Sequence, residues 1–353
     1  PRLLRGRTVD CAMSRLPVAK CLVACNIYVS VGHSRWSIFL LELLSNAQEE
    51  CRRLRRRSEN TSDLDSLAVV HAYADGPYDR SSFHLAGSSP LVAQLASHIA
   101  VHAVKGLQTK SAKSKQEEFS PDSDQELFAT ATAHPTVGLV DHVAVLPLTL
   151  EPDAVAPSTM TIDEWKQSMQ GTIGSEWDSN QDLGRLHPLS PTTSSGWVAR
   201  TVGLALQQVG VDVLWYGHAD PLNTPLAHVR KTKTRFFEAL PPSSSSSSSL
   251  ASLGQSTVGA PPYFVENYNI QLWTTNQAQA SSLTKWIRSR DGGLPFVEAL
   301  TLPHGQDPVT KEPYYEVACN LLHPGITSAE DIEKRVQEWK TIKRDNLSVE
   351  YHA

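Results

Sequence analysis

The chain is predicted to be an α+β protein of two ferredoxin-like (split βαβ) subdomains, with helices packed on mixed or antiparallel sheets. Three observations lead there. The order strand–helix–strand–strand–helix–strand can be read twice along the 353 residues, which is the signature of that arrangement. A serine-rich stretch at 241–262, with seven consecutive serines at 243–249, separates the two readings. Hydrophobic residues make up 40% and charged residues 20% of the chain, enough apolar content for a real core in each half.

In the first half, CLVACNIYVS (21–30) reads as a strand. Residues 36–57 read as a helix, with apolar side chains recurring at three- and four-residue steps through Ile38, Leu41, Leu44 and Ala47. LAVVHAYA (67–74) and RSSFHLAG (80–87) are strands joined by a turn carrying Gly76 and Pro77. A second helix covers 90–106, with Leu91, Leu95, Ile99 and Ala103 on one face, and GLVDHVAVLPL (138–148) is a fourth strand. A helix at 197–209 and a strand at 211–217 follow.

The second half repeats the order. NYNIQLWTT (267–275) is a strand, and 276–290 a helix that Asp291-Gly292-Gly293 ends. PFVEALTLP (295–303) and PYYEVACNLL (313–322) form a hairpin with a long connection. Ser328 followed by Asp331 marks a helix start, with the helix running to about 341 and a strand closing the chain. This divides the chain into a basic extension (1–20), a first subdomain (21–240), a linker (241–262) and a second subdomain (263–353). Inserts near 108–132 and 151–195, and the serine run, cannot bury enough apolar surface to offset their ordering entropy, so mobile loops are expected there.

The formal charge of −5 argues against nucleic acid as the main partner. The basic run CRRLRRR (51–57) reads as the solvated end of the first long helix. Five scattered cysteines form no CxxC pair, which suggests reduced thiols in a reducing compartment, cytoplasmic or organellar. Either Met13 is the true start, or the basic residues before it are a leader remnant without a clear cleavage signal. No stretch approaches the roughly 20 apolar residues of a membrane span.

Three segments carry candidate chemistry. In ATAHPTVGLVDHVAVLPL (129–146), His134 is an imidazole able to take and give a proton near neutral pH. Taken alone it reads first as a surface-loop histidine, with Asp141 closing a hydrogen bond to a neighbouring turn. A metal site from His134, Asp141 and His142 is disfavoured, because strand alternation turns the last two apart. In AYADGPYDRSSF (72–83), Asp75 and Arg80 flank a sharp turn, suited either to pair with each other or to bind a polar ligand. In VDVLWYGHADPLNTPLAHVRK (211–231), a strand ends at Tyr216-Gly217, and Thr224-Pro225 looks like the start of a helix.

Taken together, these segments resemble the glutamate formiminotransferases, the transferase half of formiminotransferase–cyclodeaminase and its stand-alone plant-type relatives. HPTVGLVDH is similar to the family's His-Pro-Arg-x-Gly-x-x-Asp signature. VLWYGHA is similar to its Tyr-Leu-Tyr-Gly-Glu-Ala strand and loop, and ADGPYDR to its Asp-Ala-x-Tyr-x-Arg turn. ENYNIQLWTT resembles the strand that opens the second subdomain, and EVACNLLHP the strand near the end. The likeness runs from about Cys21 to Trp339. It implies transfer of a formimino group from N-formimino-glutamate to tetrahydrofolate, bound in a tunnel between the subdomains. It implies no metal, and it implies a homodimer or a subunit of a larger complex. His134 would be the acid–base. Asp75, Arg80, Tyr216, Gly217, His218, Ala219, Asp220 and Asn269 would hold the substrate or folate.

Departures from the family pattern leave two other functions open, folate binding without transfer and a structural subunit. Where the family has Ile-Ser-Glu-(Gly or Ala)-Arg-Asn, this chain has VSVGHS, so Val31, His33 and Ser34 replace three polar residues. Thr136 stands for the arginine after His-Pro, and His218 for the glutamate of the folate loop.

Overall fold

A computed structural model describes residues 22–59, 66–114, 135–148, 193–234, 254–343 and 347–352. His134, the N-terminal extension, most of the two inserts and the serine run lie outside the described residues.

The first lobe is built on a six-stranded sheet. In chain order come β1 (Leu22–Val29), α1 (Ser37–Glu59), β2 (Leu67–Asp75), β3 (Arg80–Ser88), α2 (Ser89–Ser114) and β4 (Val140–Pro147). They are followed by α3 (Ser194–Gln208), β5 (Asp212–Gly217), α4 (Leu226–Lys233) and β6 (Gln255–Ala260). The strand order is β2-β3-β1-β4-β6-β5. The first four strands form the antiparallel split-βαβ sheet, and β6 and β5 extend it in parallel beside β4. The second lobe is a four-stranded antiparallel sheet of order β10-β7-β9-β8. Its elements are β7 (Glu266–Leu272), α5 (Gln277–Ile287), β8 (Val297–Gln306), β9 (Pro313–Leu321), α6 (Ala329–Lys343) and β10 (Val349–His352). The first four strands of the first lobe and the four of the second thus share one βαββαβ topology, as the sequence predicts.

In β1 the alternation is clean. Val23, Cys25, Ile27 and Val29 are buried toward the helices, and Ala24, Asn26 and Tyr28 take the other face. In β7, Tyr268, Ile270 and Leu272 enter the core that Ile332, Val336 and Trp339 of α6 complete. The α6 start is a capping box. Ser328 Oγ accepts from Asp331 N, and the Asp331 carboxylate accepts from Ser328 N at 3.0 Å.

Four readings change. The buried stripe of α1 runs through Phe39, Leu43, Ala47 and Leu54, whereas Ile38 and Leu41 are 69% and 66% exposed. The helix opens Ser-Ile-Phe-Leu-Leu-Glu-Leu-Leu, apolar on nearly every side, so two stripes competed and packing against α2 chose one. The helix α2 continues through Ser114, into the first residues read as an insert. Pro225, rather than Thr224, occupies the N-cap of α4, with no side-chain cap. Residues 255–260, read as linker, form β6 inside the first sheet. The basic run ends α1 as expected: Arg53 forks onto Glu50, and Arg55, Arg56 and Arg57 are exposed.

Helices α1, α2 and α3 pack on one face of the first sheet and α5 and α6 on one face of the second, and the two faces left free of these helices meet. Tyr28 Oη donates to Asn267 Oδ1 at 3.5 Å, and Tyr78 Oη donates to Glu316 Oε1 at 2.6 Å. Among the described residues no helix is long and apolar enough to cross a membrane. Cys25, Cys51 and Cys319 are buried and free.

Candidate functional site between the two sheets

The helix-free face of the first sheet carries a run of rings. His71 and Tyr73 of β2 lie beside His84 of β3, His84 beside Tyr28 of β1, Tyr28 on His142 of β4, and His142 against Tyr216 of β5. The Tyr28 and His142 rings are stacked with centroids 5.6 Å apart. His142 Nε2 and Tyr216 Oη share a hydrogen bond at 2.9 Å. That last contact crosses the intervening strand β6, and Gly259 makes it possible. A Cβ there would lie 2.3 Å from the Tyr216 carbonyl oxygen and 2.4 Å from its ring. Gly259→Ala is therefore expected to displace Tyr216 and cost about 1–3 kcal/mol as overpacking. A thermal unfolding comparison with the wild type checks the stability loss.

Beside this run lies a buried charge node. Asp141 is fully buried, and Arg80 donates to its Oδ2 at 2.7 Å while Arg230 of α4 stands 3.7 Å from the same oxygen. Its other oxygen accepts from Val137 N at 2.8 Å. Asp141 sits at a bulge, where the register with β1 shifts between Tyr28 and Val29, so it escapes strict alternation with His142. The Arg80 guanidinium also lies over the Tyr28 ring at 4.2 Å. Burial lowers the Arg230 pKa, opposed chiefly by the Asp141 charge, yet a guanidinium stays protonated. From the second lobe, Glu298 feels Arg230. Burial raises its carboxyl above the ordinary value, and the Arg230 and Arg290 charges oppose that.

At the β2–β3 turn, Asp75 and Arg80 are cross-strand partners that engage different residues, His304 and Asp141. Asp75 Oδ1 accepts from Tyr78 N, closing the turn, and Oδ2 approaches His304 Nε2 of the second lobe at 3.4 Å. Next along, Asp79 accepts from the backbone N–H groups of Gly32 and His33 at 2.7 and 2.8 Å. The departing VSVGHS segment is thereby tied to the turn, and its Val31 is packed in the core.

The loop after β5 is held mostly by itself. Gly217 has φ +55, and a Cβ would meet the Ala260 carbonyl oxygen at 2.1 Å, so only glycine fits. Asp220 takes the backbone N–H groups of Leu222 and Thr224, and Ala219 is buried in the core. His218 Nδ1 meets Thr193 Oγ1, the cap of α3, and burial lowers the His218 pKa. Asn269 lies on the helix-free side of β7, between Ala318 of β9 and His352 of β10.

The structure thus places Arg80 in the charge node and Tyr216 at the end of the ring run beside it, sets Asp75 at the seam between lobes, and gives Gly217, Ala219 and Asp220 work inside their own loop. Tyr28, Arg230, His304 and Glu316 were not singled out from sequence. Tyr28 carried a signal, being the largest polar-face residue of an alternating strand. The other three meet their partners only through the tertiary fold. Among the described residues no cluster of three or more His, Cys, Asp or Glu could hold a metal ion.

No family model matches this chain, and no curated protein does. Among solved structures it is similar to the periplasmic protease PqqL from Escherichia coli at 10% identity and a TM-score of 0.20, covering 92% of this chain and 36% of that one. The chain spans about a third of that protein's length, and a likeness this weak carries no argument about fold or activity.

Proposed function

We propose that this chain is a folate-dependent transferase of the glutamate formiminotransferase type, moving a formimino group from N-formimino-glutamate to tetrahydrofolate. One observation supports this reading above the others. Residues from three of the segments that carry the resemblance meet in one buried patch between the lobes, although they are far apart in the chain. Arg80 reaches Asp141 across 61 residues, and His142 reaches Tyr216 across 74. Flat rings suit stacking on a pterin, and guanidinium groups suit carboxylates.

In this reading N5 of tetrahydrofolate attacks the formimino carbon and loses a proton. The glutamate nitrogen leaves with the electron pair of its bond to that carbon and gains a proton. His134 carries both transfers. Asp141 positions the backbone just after that histidine through Val137. A second reading is folate binding without transfer, or a structural role in a larger assembly. It is favoured by Val31, which lies buried where the family places a glutamate.

Calorimetric titration of the full chain with tetrahydrofolate, followed by an assay with N-formimino-glutamate, separates the readings. Saturable binding with turnover is the expected result. Binding without turnover selects the second reading's folate-binding form, and absence of binding removes folate from both.

A further inference from the structure

We propose that Asp75, Tyr78, Gln271, His304 and Glu316 form a proton-operated latch between the two lobes, clasped when the His304 imidazole is protonated and released when it is neutral. The first lobe supplies Asp75 and Tyr78, and the second supplies Gln271, His304 and Glu316. Both ring nitrogens of His304 face acceptors. Nδ1–H donates to Gln271 Oε1 at 2.5 Å, and Nε2 faces Asp75 Oδ2 at 3.4 Å. The Gln271 amide is oriented by its own nitrogen, which faces the backbone carbonyls of Leu272, His304 and Tyr315. Glu316 Oε2 lies 3.8 Å from Nδ1, while its Oε1 accepts from Tyr78, whose ring sits against the imidazole with centroids 4.4 Å apart. A neutral imidazole has one N–H and cannot serve both Gln271 and Asp75, so the clasped geometry calls for the cation.

The charged and titratable groups facing His304 are Asp75 at the end of β2, Tyr78 in the turn after it, and Glu316 on β9. His352 on β10 acts on Glu316, and Arg80 on Tyr78. Burial alone would lower the imidazole pKa, but the Asp75 hydrogen bond and the Glu316 and Asp75 charges outweigh it and raise it above 6.5. Burial also raises the Glu316 carboxyl, against the pull of Tyr78 and His304. Both shifts mean that the clasped form holds protons more tightly than a parted one. Clasping is therefore strongest below the ordinary imidazole value and is lost as pH climbs through the raised value.

Hydrogen exchange of the ligand-free full chain between pH 6 and 8, corrected for intrinsic rates, tests this at residues 75–80 and 303–306. Protection of both segments is expected to fall together, by up to about tenfold per pH unit for one coupled proton. In His304→Gln both segments should exchange nearly as in the high-pH wild type, with the pH dependence due to the imidazole gone. Asp75→Asn should move the midpoint to lower pH while the slope survives, and it carries the test if circular dichroism shows His304→Gln unfolded. A flat wild-type profile, an unaltered slope in a folded His304→Gln, or an unmoved midpoint in Asp75→Asn would overturn the latch.

Discussion

Asp141→Ala should lower the unfolding free energy by about 3–5 kcal/mol, the range found when one partner is removed from a buried ion pair. The size follows from what stays behind. Arg80 and Arg230 are only 14% and 12% exposed, and both face the same carboxylate oxygen. Without it two cations are left close together in a poorly solvated place, and the Val137 N–H loses its acceptor. Asp141→Asn should cost less, because its amide oxygen can still take Val137 while the charge is gone. The two losses are read as shifts of the denaturant midpoint at constant slope. A loss below about 1 kcal/mol for the alanine variant would mean that the arginines relax to solvent and that the node is peripheral.

On the proposed transferase reading, turnover of N-formimino-glutamate should fall by about 10² to 10⁴ in His134→Ala, the range typical of one general acid–base. Tetrahydrofolate affinity, read by calorimetry, should change little, because a proton carrier acts at the reacting centre. The pH profile adds a second readout: the limb due to the imidazole should vanish from kcat while any other limb remains. Turnover within about threefold of wild type would show that another group moves the proton. His142, hydrogen-bonded to Tyr216 between the lobes, is the next residue to test.

Much of the fold was legible in the sequence because each lobe is an alternating pattern with strong local punctuation. The second lobe follows its expected order within a few residues, helped by the Asn276 cap, the Ser328–Asp331 box and Gly292 at φ +82. The strand β6 was illegible for a physical reason. Gln-Ser-Thr-Val-Gly-Ala has small side chains and follows a serine run, and its extended form comes from pairing between β4 and β5. The site divides in the same way. Asp75, Arg80 and Tyr216 could be named from motifs, since short-range spacing set them at turns and strand ends. Arg230, His304 and Glu316 could not, because each gains meaning from a partner on another element that only tertiary packing supplies.

The late arrival of β6 has a consequence for how this protein can be made. Among the described strands, β5 is bonded only to β6, so the edge bearing Tyr216 and Gly217 has no lattice to join until residues 255–260 have left the ribosome. Closure of that loop spans about 40 residues and should be slow relative to the local hairpins. Expression of the first lobe by itself must therefore include Ala260; a fragment cut at the serine run would expose two open strand margins and should aggregate.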